Sequence, residues 1–171
     1  MENSLLSDGS TSWPPAHLPR ELHAVATAAD LIRHDTDYYW DGGAGVCLGV
    51  SAFLSHILLD LEIGHKLANG IYRDEQGEHA HWWIETTSGW ILDGSRGQFD
   101  HGEGYRPGVI QRTDPAYSLR SSTEPGHDDI ALVEAELRRC FGDPAGADEY
   151  LALCEDIWRE AQELAASGIQ S

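Results

Sequence analysis

Hydrophobic residues recur along this chain with the spacing of helices in some segments and of strands in others. Apolar side chains lie three and four positions apart in residues 20–34, 46–63, 128–141 and 147–166, which predicts four helices. The second segment is apolar around most of its circumference, so we expect it to be the central, largely buried helix. Gly64 follows it and is predicted to be its C-cap.

Short segments of strand character lie between the second and third helices. Residues 66–72, 80–86 and 90–93 are separated by polar turn sequences that contain glycine, which indicates an antiparallel meander. Residues 109–112 are predicted to add an edge strand, whereas residues 113–126, which contain two prolines, are predicted to be irregular. This order of elements indicates an α+β fold in which the central helix packs on a small antiparallel sheet.

The length and composition favour one globular domain. A chain of 171 residues is long enough for a substantial core and short for two domains. Its hydrophobic fraction of 41% and its six tryptophans are typical of a folded protein. Residues 1–19 show little periodicity, so we interpret them as a flexible N-terminal tail and residues 20–171 as the single domain.

The charge of the chain narrows the classes of partner. Its formal net charge is −18, from 29 acidic and 11 basic residues. Such a surface repels phosphate backbones and anionic lipid headgroups, so we expect neither nucleic acid nor a membrane as a partner. A cationic or neutral partner is favoured, and a peptide or a basic protein segment fits this, although solubility is the more common explanation of such a charge. With no long apolar run and no signal-peptide pattern at the N-terminus, we expect a cytoplasmic protein.

Three cysteines occur without the spacing of a disulfide framework, so reduced thiols are expected. Cys47 lies in the first turn of the predicted central helix, where unpaired backbone N–H groups and the helix dipole stabilise a thiolate. A thiolate is the nucleophilic form of cysteine. The alternative for Cys47 is a small buried hydrophobic residue, since free cysteines are commonly buried.

A histidine and an aspartate follow on two adjacent predicted strands. His81, Trp83 and Glu85 share one face of their strand because side chains alternate. Asp93 lies at the end of the next strand, from which it can accept the second ring N–H of His81 and orient the ring as a base. Considered alone, His81 is more typical of a hydrogen-bonded surface histidine, and Asp93 is more typical of a turn residue.

Together these residues form a pattern that resembles a known family. The matching motifs are Gly45-Val46-Cys47, His81-Trp82-Trp83-Ile84-Glu85, and Trp90-Ile91-Leu92-Asp93 followed by Gln98-Phe99. The pattern resembles the transglutaminase-like branch of the papain-fold cysteine enzymes. The resemblance implies a papain-like α+β fold, with Cys47 as nucleophile, His81 as general base and acid, and Asp93 as the orienting residue. It also implies thiol-dependent acyl transfer through a covalent acyl-enzyme, without a metal or another cofactor.

The resemblance leaves several features of the reaction open. Members of this family include peptidases, deamidases, acyltransferases and crosslinking enzymes. The resemblance therefore does not determine the substrate, the acceptor or the oligomeric state. The backbone N–H of Cys47 is one expected oxyanion donor, and Trp40 or Tyr39 is expected to supply a second. Trp83 is expected to form a wall of the site because it shares the strand face of His81.

Two alternatives compete with this interpretation. The spacing of His79, His81 and Glu85 is that of a metal-binding motif of cupin barrels. Against it, the flanking glycines are misplaced, no second motif follows, and several helices fit a double-stranded barrel badly. The other alternative is a peptide-binding module that keeps the fold without catalysis, although a pure binder gains nothing from a Cys, His and Asp set.

Overall fold

The protein is an α+β domain in a computed structural model that describes residues 17–39, 46–99, 108–111, 113–140 and 144–167. The helices of this part are α1 (His23–Tyr39), α2 (Val46–Asp60), α3 (His127–Cys140) and α4 (Pro144–Ser167). The strands are β1 (His65–Asp74), β2 (Gly77–Thr86), β3 (Trp90–Leu92), β4 (Val109–Gln111) and β5 (Tyr117–Thr123). Short 3-10 helices lie at Arg20–Leu22 and Arg96–Phe99. The four predicted helices and the predicted meander are confirmed.

The five strands form one antiparallel sheet in the order β4-β3-β2-β1-β5. Strands β1 and β2 form its longest pair, in which Gly70 lies opposite His81. A β-carbon on Gly70 would lie 2.1 Å from the Ser118 carbonyl oxygen and 2.7 Å from the Trp83 ring, so only glycine fits here. The Trp83 ring thus occupies the space that a side chain at position 70 would need.

Strand β5 is the element that the sequence pattern did not predict. Residues 117–123 lie within the segment expected to be irregular, and they pair instead with the free edge of β1. These residues are mostly polar because most of them are exposed at the edge of the sheet. The segment therefore lacks the run of alternating apolar residues by which a strand is recognised from sequence. The two prolines, Pro115 and Pro125, flank the strand and do not interrupt it.

The main hydrophobic core lies between the helices and one face of the sheet. Val50, Leu54 and Leu58 of α2 are fully buried in it, together with Ile84 and Leu92 from the sheet. A second, smaller cluster on the other face contains three buried residues, Ala68, Trp83 and Ile91. In the described part of the chain, no helix is both long enough and apolar enough to span a bilayer.

The segment before α1 contributes to the core. Leu18, which the sequence places in the N-terminal tail, is 5% exposed and belongs to the main cluster. Its carbonyl oxygen lies 3.1 Å from Nε2 of His23, within hydrogen-bonding distance. Residues 1–16 lie outside the described part of the chain.

Helix α2 ends earlier than predicted and with a different cap. Its last residue is Asp60, and Glu62 adopts the left-handed conformation with φ of 56°. The N–H of Ile63 donates to the Leu58 carbonyl at 2.8 Å and that of Glu62 to the Leu59 carbonyl at 3.0 Å. This is the Schellman arrangement, with Glu62 at the position that usually holds glycine. The prediction of Gly64 as C-cap is therefore wrong.

We expect Glu62→Gly to stabilise the protein by about 1 kcal/mol, because it removes the steric cost of a β-carbon in the left-handed conformation. Glu62→Ala is the matched control, since it removes the same carboxylate and keeps the β-carbon. Urea unfolding of the three proteins measures the effect. Equal midpoints for the glycine and alanine variants would contradict the strain at Glu62.

Candidate active site

Asp93 is fixed at the end of β3, where the sheet meets α1 and α2. Its backbone N–H donates to the Gly108 carbonyl at 2.7 Å. The next residue, Gly94, is so close to α2 that a β-carbon would lie 2.7 Å from Cγ1 of Val50. Because the backbone is fixed on both sides of Asp93, its carboxylate is held in the interior. The residue is only 2% exposed.

The Asp93 carboxylate receives four hydrogen bonds from three residues. Its Oδ2 lies 2.8 Å from Nε2 of His81 and accepts from the Tyr117 hydroxyl at 2.6 Å. Its Oδ1 accepts from the Ser95 backbone N–H at 3.1 Å and from the Ser95 hydroxyl at 3.0 Å. A buried carboxylate is tolerated when it is satisfied in this way.

His81 contacts the other two predicted site residues. An ionised carboxylate only accepts hydrogen bonds, so Nε2 of His81 carries the proton that faces Asp93. Cys47, in the first turn of α2, interacts with the His81 side chain through a hydrogen bond and through charge. With Nε2 directed at Asp93, Nδ1 is the ring nitrogen that remains for Cys47, and the carboxamide nitrogen of Gln98 lies 3.4 Å from it. The structure thus brings Cys47, His81 and Asp93 together. The ring of His81 lies between the other two, as the sequence predicts.

The electrostatics of this group favour a charged imidazole. Burial lowers the pKa of His81, but the negative charge and hydrogen bond of Asp93, with a smaller contribution from Cys47, outweigh burial and raise it to about 9. Burial raises the pKa of Asp93, and the positive His81 ring, the Tyr117 hydroxyl and Arg96 more than offset this, so the pKa of Asp93 falls. His81 and Asp93 therefore form a buried ion pair near neutral pH.

Arg96 is a buried cation beside this pair. It is 5% exposed, and its guanidinium lies over the rings of Tyr72 and Tyr117, with its central carbon 5.3 and 5.4 Å from their centroids. Its Nη1 donates to the Tyr117 hydroxyl at 3.3 Å, and Nη2 lies 3.7 Å from a carboxylate oxygen of Asp114. The cation thereby fixes the hydroxyl that donates to Asp93.

Aromatic rings enclose His81 on several sides. The Phe99 ring meets it edge-on with centroids 4.9 Å apart, and the Tyr72 and Trp83 rings lie at 5.9 and 6.1 Å. His81 itself is fully buried. These rings hold the imidazole in one orientation and exclude water from it, which strengthens its interaction with Asp93.

Sequence reasoning missed Ser95, Arg96, Gln98 and Tyr117 as parts of the site. Asp93-Gly94-Ser95 carries a local signal, since aspartate often accepts from the N–H two residues further on. Gln98 lies on the 3-10 helix with Nε2 3.4 Å from Nδ1 of His81. Tyr117 had no signal, because the strand that carries it was not predicted.

The remaining predicted site residues occupy other positions. Trp83 is fully buried, and its ring N–H donates to Glu85 at 3.2 Å, so it supports the His81 ring from within the second cluster and offers no exposed wall. Tyr39 is the last residue of α1, and its side chain is outside the described part. Trp40 also lies outside it.

The strand geometry is incompatible with the cupin-like metal site. His79, His81 and Glu85 lie along one continuous strand, so Glu85 is about 13 Å beyond His81 along β2. His79 lies 3.0 Å from Asp74, whereas His81 is paired with Asp93. Within the described ranges, these three residues do not form a group with the spacing of metal ligands. The alternative based on this motif is therefore wrong.

The pKa of His81 predicts a pH dependence of stability. A folded-state pKa of about 9, above the ordinary 6.5, means that protonated His81 favours folding. This contribution is complete below pH 6.5 and disappears as the pH rises through 9. We expect the difference in unfolding free energy between the wild type and His81→Gln to shrink by about 3 kcal/mol from pH 6 to pH 10. Urea unfolding at five pH values measures it, and a constant difference would contradict the ion pair.

The residues of this site are the basis for any assignment of function. Comparisons of the chain with protein family models, with curated proteins and with solved structures found no match. The arrangement of Cys47, His81 and Asp93 and the chemistry of their side chains therefore carry the functional proposal.

Proposed function

We propose that this protein is a cysteine-dependent acyl-transfer enzyme in which Cys47 is the nucleophile, His81 the general base and acid, and Asp93 the orienting residue. The observation that carries the proposal is the buried hydrogen bond of 2.8 Å between Nε2 of His81 and Asp93, with Cys47 interacting with the same imidazole. A nucleophile, a base and a group that orients the base are the parts that covalent catalysis needs. A papain-like fold is the corresponding proposal for the architecture.

The electrostatics support the first step of this mechanism. In the resting site the thiol proton already lies on Nδ1 of His81, because Asp93 stabilises the imidazolium and thereby the thiolate of Cys47 paired with it. The Cys47 sulfur then attacks the carbonyl carbon of an amide or ester, and a C–S bond forms as the carbonyl π bond breaks. The backbone N–H of Cys47 is in the first turn of α2, where N–H groups lack intrahelical partners, so it is available to the oxyanion.

The second half of the cycle returns the proton. The imidazolium gives its proton to the leaving amine or alkoxide as that group departs, which leaves a thioester on Cys47. Water or an amine then loses a proton to His81 and attacks the thioester. The C–S bond breaks, and the thiolate and imidazolium are restored.

Gln98 supports the proposal as the second oxyanion donor. Its carboxamide nitrogen lies 3.4 Å from Nδ1 of His81, the ring nitrogen that is not used by Asp93. A carboxamide N–H is a suitable donor to a tetrahedral oxyanion. Trp40 and the side chain of Tyr39, the donors expected from the sequence, lie outside the described part of the chain, so their role stays a prediction beside that of Gln98.

The charge of the chain supports a basic peptide or protein segment as the acyl donor or acceptor. With a net charge of −18, the surface attracts cations over a Debye length of about 8 Å at physiological salt. Electrostatic attraction of this kind acts mainly on the rate of encounter. The acceptor is water or an amine, and the triad serves either.

The proposal predicts a reactive thiol that depends on His81. We expect His81→Gln to slow alkylation of Cys47 by iodoacetamide at pH 7 at least tenfold, because the thiolate loses its imidazolium partner. His79→Gln is the matched control, two residues along the same strand, and should leave the rate unchanged. Mass spectrometry of the modified peptide gives the rates at Cys47 alone. Equal rates in all three proteins would contradict activation of Cys47 by His81.

Catalysis itself is tested with an activated ester. p-Nitrophenyl acetate should acetylate Cys47 in a burst, followed by slower turnover, and His81→Gln should lower the burst rate at least a hundredfold. A protein that is alkylated rapidly but never forms the thioester would instead be a binding module with an activated thiol.

A further inference from the structure

A second group of ionisable side chains lies toward the end of α2 that is opposite to Cys47. His56 and Asp60 lie one turn apart on α2, and His127 is the first residue of α3. Nε2 of His56 lies 3.6 Å from one carboxylate oxygen of Asp60, and Nδ1 of His127 lies 3.9 Å from the other. The three ligand atoms all lie within 4.8 Å of one another.

The fold holds this group together across a long stretch of sequence. Residues at positions i and i+4 of a helix share a face, which brings His56 beside Asp60. His127 reaches them because α3 packs on α2, with Ile130, one turn into α3, fully buried in the main core. Packing of the core therefore sets the distance between His127 and the α2 pair.

The separations between the ligand atoms are those of ligands that share one ion. Direct hydrogen bonds measure about 2.7–3.2 Å, shorter than both distances to Asp60. Ligands at about 2.1 Å from a tetrahedral ion lie about 3.4 Å from each other. The distances of 3.6 and 3.9 Å exceed that value by up to about half an ångström and run to the two different oxygens of Asp60, so side-chain rotations are needed to bring three ligand atoms onto one ion.

The arrangement of the two imidazoles agrees with this geometry. Their centroids lie 5.7 Å apart and their planes are inclined by 77°. Two rings bound through nitrogen to one tetrahedral ion would have centroids about 5 Å apart. The rings thus meet edge to face and do not stack on each other, at a separation close to that of two imidazoles on one ion.

We propose that His56, Asp60 and His127 bind a divalent transition-metal ion of the zinc type and that this ion links α3 to α2. Two imidazole nitrogens and one carboxylate oxygen favour zinc, cobalt, nickel or copper over calcium and magnesium, which prefer oxygen ligands. The three side chains are 46%, 60% and 59% exposed, so an ion reaches them directly from solvent and water completes its coordination.

The proposed ion acts on the architecture at a distance from Cys47. His56 is nine residues beyond Cys47, or about 14 Å along the helix axis. Linking α3 to α2 also secures the C-terminal helices, because α4 follows α3 and packs on α1. The inference does not depend on the proposed acyl-transfer activity.

Titration of the full-length protein with Zn²⁺ tests the proposal. Calorimetry should detect one ion per chain, and free Zn²⁺ at about 100 times its Kd should raise Tm by on the order of 5 °C. His56→Ala and His127→Ala should each weaken binding at least tenfold and cut the rise in Tm at that Zn²⁺ concentration to about half or less. Both positions are exposed, so the variants should fold, and circular dichroism without metal verifies this.

Two matched controls identify the ligands. His17→Ala removes an exposed histidine outside the cluster and should bind Zn²⁺ as the wild type does. Cys47→Ala removes the thiol that would draw zinc to the candidate active site, and it should also leave binding unchanged. Mg²⁺ at the same concentration should not change Tm.

Several results would overturn the proposal. Unchanged binding in His56→Ala and His127→Ala would place the ion elsewhere, and loss of binding in Cys47→Ala would place it at the thiol. Stabilisation by Mg²⁺ equal to that by Zn²⁺ would reduce the effect to general attraction of cations by an acidic protein. Absence of any Zn²⁺ binding by the wild type would exclude the site.

Discussion

The buried carboxylate of Asp93 is the group on which the arrangement of the site depends. A charge in the interior is stable only when it is paired and hydrogen-bonded, and Asp93 receives donors from His81, Tyr117 and Ser95. The donors come from different parts of the chain. The site is therefore complete only when the strands of the sheet have assembled. Arg96 continues the network by donating to the Tyr117 hydroxyl. The orientation of the His81 imidazole thus depends on how strands β2, β3 and β5 assemble around the two carboxylate oxygens of Asp93.

Helix α2 connects this site to the rest of the protein. Its apolar circumference places it in the main core, and the same burial determines where its two ends emerge. At the first end, unpaired N–H groups accompany the thiol of Cys47. At the other end, His56 and Asp60 meet His127 of α3. One buried helix therefore positions the candidate active site and the candidate metal site, and packing of the core keeps them apart.

The chemistry of the two sites differs because their environments differ. In the interior, low dielectric makes the pairing of His81 with Asp93 strong enough to overcome the cost of burying a charged imidazole. At the surface, water screens His56, Asp60 and His127 from one another, and the proposed ion would hold them in one rigid arrangement. A carboxylate and an imidazole can thus serve as catalytic partners in one place and as ligands in another.

The amino-acid sequence by itself determined the helices, the meander and the identity of three candidate residues, because hydrophobic periodicity and turn residues are local signals. It did not predict β5, which forms only because β1 has a free edge, and so it missed Tyr117. It placed the cap of α2 at Gly64, whereas hydrogen bonds to Leu58 and Leu59 put Glu62 in the left-handed conformation. Contacts between residues distant in the chain, such as those of Asp93 with Tyr117 and of Asp60 with His127, were decided only by the tertiary structure, since no local pattern encodes the distance between elements that meet through a shared core.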